Sequence, residues 1–201
     1  MKIQHIHGLA PLYTNTFLLV TDAGHGIIVD PAAAPQTYLD ALQKAGAELT
    51  HILLTHGHYD HVGAVAALRQ KTGCHVYMDP VDAMGSQMLP LTKDLVDQNW
   101  PADGKLKIDE LTFTVYHTPG HTLGSVCLVC GDVMFSGDTL FAGSCGRTDL
   151  PGGSMRQMQQ SLSMLAALPL PDTLTVLPGH EAFSTMGQER RSNPYLNGAW
   201  F

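Results

Sequence analysis

Residues 55–61 read Thr55-His56-Gly57-His58-Tyr59-Asp60-His61, so four side chains able to ligate a metal fall within six positions. Such a cluster makes a poor core, because buried imidazoles and carboxylates need partners. The run follows His51–Leu54, a continuous apolar stretch of the kind found in strands covered on both faces. Gly57 lets the backbone turn tightly. His56 and His58 then point one way, while Asp60 and His61, at the mouth of the next helix, point another. That geometry suits two adjacent metal ions better than one.

Three further candidates occupy the same context. The strand ending at His117 leads into Thr118-Pro119-Gly120-His121, Val133–Ser136 leads into Gly137-Asp138, and Thr173–Leu177 leads into Pro178-Gly179-His180. Each places His or Asp just beyond a buried strand, where open α/β architectures build their sites. The set is therefore His56, His58, Asp60, His61, His121, Asp138 and His180. Nitrogen and carboxylate ligands suit zinc, iron or manganese, and the absence of Cys disfavours an iron–sulfur cluster or a purely structural zinc. A carboxylate can bridge two cations and leave room for a shared water of lowered pKa. Two divalent ions, two carboxylates and one hydroxide leave a net charge of about +1, which favours neutral or anionic substrates.

The elements that must carry these residues alternate. Strands are expected at Lys2–His7, Tyr13–Val20, Gly26–Val29, His51–Leu54 and His75–Met78. A helix after Pro35 puts Tyr38, Ala41, Leu42 and Ala45 on one face and stops at Gly46, and a second carries Val62, Val65 and Ala66 to Gly73. From Lys105 the pattern turns strand-rich: Leu106–Ile108, Leu111–His117, Ser125–Cys130 and Val133–Ser136, with Gly131-Asp132 as a hairpin turn. Gly143–Gly153 is a Gly-rich loop. Ser154 then caps a helix with the stripe Met155, Met158, Leu162 and Leu165, which reads as core. Thr185-x-x-Gln188 forms a capping box for a last helix, stopped before Pro194. The echo of strands then helices, twice, suggests two sheets with helices outside.

Composition narrows the partners. The 201 residues suit one domain over 1–201, 44% are hydrophobic, and the net charge is −7. This excludes a disordered chain and argues against nucleic acid or an anionic membrane, both of which need a basic footprint. No window of ~18 apolar residues suggests a membrane span. Cys127 and Cys130 lie at i and i+3 of a strand and face opposite sides, so they read, with Cys74 and Cys145, as reduced thiols of a cytoplasmic protein. The remaining histidines, His5, His7, His25, His51, His75 and His117, read as solvated or hydrogen-bonded, with His117 a candidate support for His121. Asn15 is a candidate pocket residue. Tyr195, Leu196, Trp200 and Phe201 are apolar enough to dock on the body or on a partner subunit.

The sequence resembles a metallo-β-lactamase-fold hydrolase. Residues 55–61 match the family's THxHxDH motif in full, and His121, Asp138 and His180 match its downstream ligands. The resemblance covers nearly the whole chain. It implies a four-layer αββα sandwich with a dinuclear site along one edge. His56, His58 and His121 would bind the first metal, Asp60, His61 and His180 the second, and Asp138 would bridge them. Zinc is the first expectation for both ions, with iron or manganese as alternatives. Asp138 argues against a true β-lactamase. The run Gly137-Asp138-Thr139-Leu140-Phe141-Ala142-Gly143-Ser144-Cys145-Gly146-Arg147-Thr148-Asp149 through Gly153 resembles the glyoxalase II-like branch, and Leu177–His180 with Glu189 and Asn193–Leu196 points the same way.

The short form of that branch implies hydrolysis of a small-molecule thioester, such as S-lactoylglutathione to D-lactate and glutathione, through attack of a metal-bridging hydroxide that Asp60 helps to orient. Long members grip glutathione with a C-terminal helical domain, whereas 21 residues follow His180 here, and they carry Lys and Tyr where this chain has Arg147 and Asp149. Arg147 could pair with a substrate carboxylate or tie the Gly-rich loop to Asp149. Two other readings compete. One is a persulfide dioxygenase, with one Fe(II) on His56, His121 and Asp138. The other is a non-catalytic metal-binding module.

Overall fold

The computed structural model describes residues 2–198. Its first half runs β1 (Lys2–His7), β2 (Asn15–Val20), β3 (His25–Val29), α1 (Pro35–Ala45), β4 (Glu48–Leu53), α2 (Tyr59–Val62), α3 (Val65–Thr72) and β5 (His75–Tyr77). These strands form one sheet in sequence order, antiparallel through β3 and parallel from β3 to β5. Pro35 opens α1 and Gly46, at φ 65°, closes it, the Pro-first and Gly-last pattern of a well-bounded helix. Tyr38, Ala41 and Leu42 are buried, but Ala45 is exposed.

The second half holds β6 (Lys105–Ile108), β7 (Leu111–His117), β8 (Val126–Cys130), β9 (Val133–Gly137), β10 (Leu140–Phe141), β11 (Ser144–Cys145), α4 (Met155–Ala167), β12 (Thr175–Pro178), β13 (Ser184–Thr185) and α5 (Met186–Ser192). Its six-stranded sheet is ordered β13-β12-β9-β8-β7-β6. The Ser154 and Thr185 side chains cap α4 and α5 by accepting from Gln157 N and Gln188 N.

Three apolar layers bind these elements into an αββα sandwich. Leu18, Ile28, Ile52 and Leu54 pack under α1 and α3 with Tyr38 and Leu68. Phe17, Leu19, Leu53, Phe113, Leu128 and Phe135 fill the space between the sheets. Met134, Leu162, Leu165 and Val176 pack under α4. Successive strand residues alternate between layers, so Ile52–Leu54 is apolar without interruption because both faces are covered. The same alternation sends Cys127 under α4 and Cys130 between the sheets, both as free thiols.

Several local expectations differ. The helix expected from Val62 to Gly73 breaks at Gly63-Ala64, because Ala64 N–H donates to Pro31 O (2.9 Å). Met155 is exposed, while Met158, Leu162 and Leu165 keep the inward stripe. The Gly-rich loop hides the β10–β11 hairpin, whose two-residue strands are too short to show a period. Tyr195 and Leu196 pack on the layer under α4; Trp200 and Phe201 lie outside the described residues.

Candidate metal centre

The site forms where strand ends of the two sheets meet. Val126 N–H donates to Thr55 O (2.9 Å) and Asn15 N–H to Gly179 O (2.7 Å), joining the sheets at this edge. After β4, His56 and His58 lie in the connection to α2, whose single turn carries Asp60 and His61. His121 follows β7, Asp138 follows β9 and His180 follows β12. All seven side chains converge.

Two triads result, His56 with His58 and His121, and Asp60 with His61 and His180, each with ligand atoms within 4.8 Å of one another. His58 Nδ1 is 2.8 Å from His121 Nε2, His61 Nε2 is 3.4 Å from His180 Nε2, and His180 Nε2 is 3.2 Å from Asp60 Oδ2. Asp138 stands between the triads, with Oδ2 3.3 Å from His121 Nε2 and Oδ1 3.4 Å from His61 Nε2. Zinc–nitrogen bonds of ~2.0–2.1 Å at tetrahedral angles place ligand atoms about 3.3 Å apart. The separations fit a cation within each triad.

The protons are arranged accordingly. Asp30, buried at the end of β3, accepts from Thr55 N (2.8 Å) and from the Thr55 hydroxyl (2.6 Å), and its Oδ2 also accepts from His61 Nδ1 (3.0 Å). Because the Thr55 hydroxyl donates to Asp30, His56 Nδ1–H donates to Thr55 Oγ1 (3.1 Å). His56 Nε2 is then buried with a free lone pair and no hydrogen-bond partner. His121 Nδ1–H donates to Arg147 O (2.7 Å), which turns Nε2 toward His58 Nδ1 and the centre. Fixing one ring nitrogen so that the other can ligate is what metal-binding histidines require.

Electrostatics divide the site. Burial, with His121 alongside, pulls His58 down to about 4, and burial with His61 holds His56 well below the ordinary value. Burial also opposes charge on His61, but Asp138 and Asp30 outweigh it and hold His61 well above the ordinary value. His180 is raised too, because the Asp60 contact overcomes burial. Burial alone would raise Asp138; the imidazoles of His61, His56 and His121 instead hold it well below the usual carboxylate range. A cavity of about 350 Å³ opens on this cluster, lined by His58, Asp60, Asp138, His180, Phe141 and Arg147 among others. The arrangement suits a pair of divalent cations facing a small molecule.

Residues 9–180 match the metallo-beta-lactamase superfamily. The chain belongs to that superfamily. Hydroxyacylglutathione hydrolase GloC of Haemophilus influenzae is 34% identical over 197 residues, covering 91% of this chain and 92% of that one. The crystal structure of BLEG-1 B3 metallo-beta-lactamase superposes with a TM-score of 0.86 at 33% identity, covering 98% of this chain and all of that one. TTHA1623 in a di-iron-bound form gives 0.80 at 34%, covering 96% and 100%. This superfamily member has no helix, among its described residues, long and apolar enough to cross a membrane.

Some roles differ from expectation. Arg147 directs its guanidinium to Asp149 through two 2.7 Å bonds, and its carbonyl, not its side chain, reaches the cluster. His117 does not support His121. It is exposed, 3.9 Å from Asp79, because the Arg147 carbonyl already fills that position. Asn15 is a clamp, not a lining residue of this cavity: its amide donates to Pro178 O (3.1 Å) and Glu181 O (3.0 Å), fixing the His180 turn, while His5 donates to its oxygen (2.8 Å). Gly57 serves a close approach, not a left-handed turn; a Cβ there would lie 2.8 Å from Asp82 Cβ.

Two buried carboxylates escape sequence reasoning. Asp30 obeys the same strand-end rule as Asp138, and that position was the available signal. Asp82 accepts from Gly57 N (3.1 Å), Gly124 N (3.0 Å) and the Thr122 hydroxyl (2.7 Å), tying the first ligand loop to the His121 loop. It lies in the irregular stretch after β5, where no pattern marks it.

Proposed function

We propose that this protein is a glyoxalase II-like thioester hydrolase. Two divalent cations, zinc by first choice, would be held by His56, His58 and His121 and by Asp60, His61 and His180, with Asp138 between. The observation that carries the reading is the second triad: one iron on His56, His121 and Asp138 would leave Asp60, His61 and His180 without a role. The di-iron form of TTHA1623 supports a metal pair on this fold, and GloC supports the thioester class.

Bound cations supply Lewis acidity toward the carbonyl and toward water. The chain does the rest. Asp30, directly and through Thr55, engages Nδ1 of His61 and His56, and the Arg147 carbonyl engages Nδ1 of His121, so each ring turns Nε2 toward the centre. Asp60, facing the cavity and 3.2 Å from His180, orients the attacking water. Asp138 supplies negative charge at the centre, and His61 with His180 holds it in place. A departing thiolate needs no strong general acid.

Turnover of S-lactoylglutathione, with elemental analysis of the purified protein, tests this. The expected result is release of lactate and thiol by protein holding two metals per chain. One iron with thiol-dependent oxygen uptake, or no thioester hydrolysis by dimetal protein, would overturn it.

A further inference from the structure

Beside the metal cavity lies a second cavity of about 410 Å³, built differently. Its walls are Val81, Met84, Met88 and Leu89 on one side and Leu123 with Pro151 on the other. Val81, Met84 and Leu123 are 43%, 67% and 50% exposed, an unusual concentration of large apolar side chains facing water.

Three observations make this groove part of the site. Met88 lines both cavities, and the 147–152 loop continues from one to the other through Arg147, Leu150 and Pro151. Its walls are preformed: Asp82 at its base bonds Gly57, Thr122 and Gly124, and Met88 O accepts from Tyr59 N within the ligand motif (3.0 Å). Its charge selects against ionic ligands. The one ionisable residue lining the groove is Asp82, and its carboxylate is already occupied by Gly57 N, Gly124 N and the Thr122 hydroxyl. A glutathione arm, with two carboxylates, would find no cation along this groove.

We infer that the substrate carries an uncharged apolar arm, and that this arm lies in the Val81–Leu89/Leu123–Pro151 groove while the reacting carbonyl lies at the metal centre. The inference deepens the hydrolytic reading above and rests on it for the identity of the reacting group. Glutathione thioesters of small acids use the metal cavity alone; thioesters with an apolar arm use both cavities. Each methylene entering the groove adds about threefold or more to binding.

Two measurements on the metal-loaded full chain test this. In calorimetry, an S-octyl thioether of N-acetylcysteamine, which cannot be hydrolysed, is expected to bind at least about 30-fold tighter than the S-ethyl thioether, with a negative heat-capacity change. Met84→Asp and Leu123→Asp should each remove at least about tenfold of that difference while leaving the thermal melt unchanged, since both side chains are exposed. In kinetics, kcat/KM should rise as the thioester is lengthened from two to eight carbons on its acyl side or on its thiol side. Equal binding of octyl and ethyl, octyl binding indifferent to both substitutions, or kcat/KM flat on both sides overturns the inference. A dimer in size-exclusion chromatography that Leu123→Asp dissociates also overturns it, because the groove would then be covered by a second copy. Tight octyl binding without turnover of any thioester sinks the hydrolytic reading and leaves the groove standing.

Discussion

The first sheet delivers His56, His58, Asp60 and His61 from one loop and one helical turn, braced by side chains: Asp30 on Thr55 and His61, Asp82 on Gly57. Tyr38 extends this brace, its hydroxyl donating to Thr16 Oγ1 (3.0 Å) and accepting from Ala33 N (2.9 Å) just beyond Asp30. The second sheet delivers His121, Asp138 and His180 from three separate strand ends, braced largely by backbone. Arg147 O fixes His121, the Pro178 and Glu181 carbonyls bind Asn15, and Gly146 and Gly179 let the chain pass against Asp138. Glu189 on α5 and Asn193, which ends it, complete that half by holding Gly143 N, Phe141 O and Ser144 O around the β10–β11 hairpin. The first half should therefore be most sensitive to loss of the Asp30 or Asp82 carboxylate, and the second to a Cβ added at Gly146 or Gly179.

Asp138 belongs to both halves, so its loss should cost most. Asp138→Ala is expected to lower kcat by more than about 10²-fold, above the usual range for outer-shell partners, and to bring elemental analysis below two metals per chain. Asp30→Asn keeps an acceptor for Thr55 N but turns an amide N–H toward His61 Nδ1, moving that ring's proton to Nε2. A loss of roughly 10–100-fold in metal affinity is expected, read by metal titration; unchanged affinity would break the side-chain half of the contrast.

Gly179→Ala is the backbone counterpart. Its Cβ would sit 2.4 Å from Asp138 Oδ1 and 2.6 Å from His61 Cε1. Destabilisation of about 1–3 kcal/mol should appear in thermal melts, with activity lost alongside. A melt and turnover like those of the parent protein would show the second half to be more forgiving than its packing implies.

Tyr38 gives a pH test of the first half. Burial pushes its pKa from 10 up to about 12. The folded state therefore keeps the proton that the unfolded chain gives up near pH 10. The stabilisation is complete below about 10 and is lost as pH rises to about 12, on the order of 3 kcal/mol. Comparing melts of the parent and Tyr38→Phe from pH 9 to 12 should show the steeper decline in the parent. The smallest effect is expected for Arg147→Ala, which keeps the carbonyl that holds His121 and removes only an exposed ion pair. The thermal melt should stay close to that of the parent, because solvent screens an exposed pair, and kcat/KM should change by a few-fold at most. A tenfold rise in KM would restore Arg147 as a substrate ligand.

Much of this architecture is readable without coordinates. Long strands announce themselves through alternation, and Ile52–Leu54 through its unbroken apolarity, because each reflects burial on one face or two. Ligand positions are readable as well, since a loop holding His56, His58, Asp60 and His61 has no use in a core. Bracing is less readable. Asp30 carries a weak signal in its strand-end position, but Asp82 carries none, because its partners lie 25, 40 and 42 residues away. His117 misleads for a related reason: proximity in sequence to His121 says nothing about which carbonyl reaches the ring.

Residue types and their spacing determined alone that strands and helices would alternate, that a nitrogen- and oxygen-rich metal site would form at strand ends, and that the chain would resemble the metallo-β-lactamase fold. These follow from local periodicity and from the cost of burying unpaired polar groups. Only the tertiary structure decided which residues brace the seven side chains, and which ring nitrogen of His56, His61 and His121 faces its brace. It also decided that Arg147 contributes a carbonyl and that an apolar groove opens beside the histidine–aspartate cluster. Those outcomes depend on contacts between segments far apart in the chain, where distance and desolvation, not residue identity, set the energy.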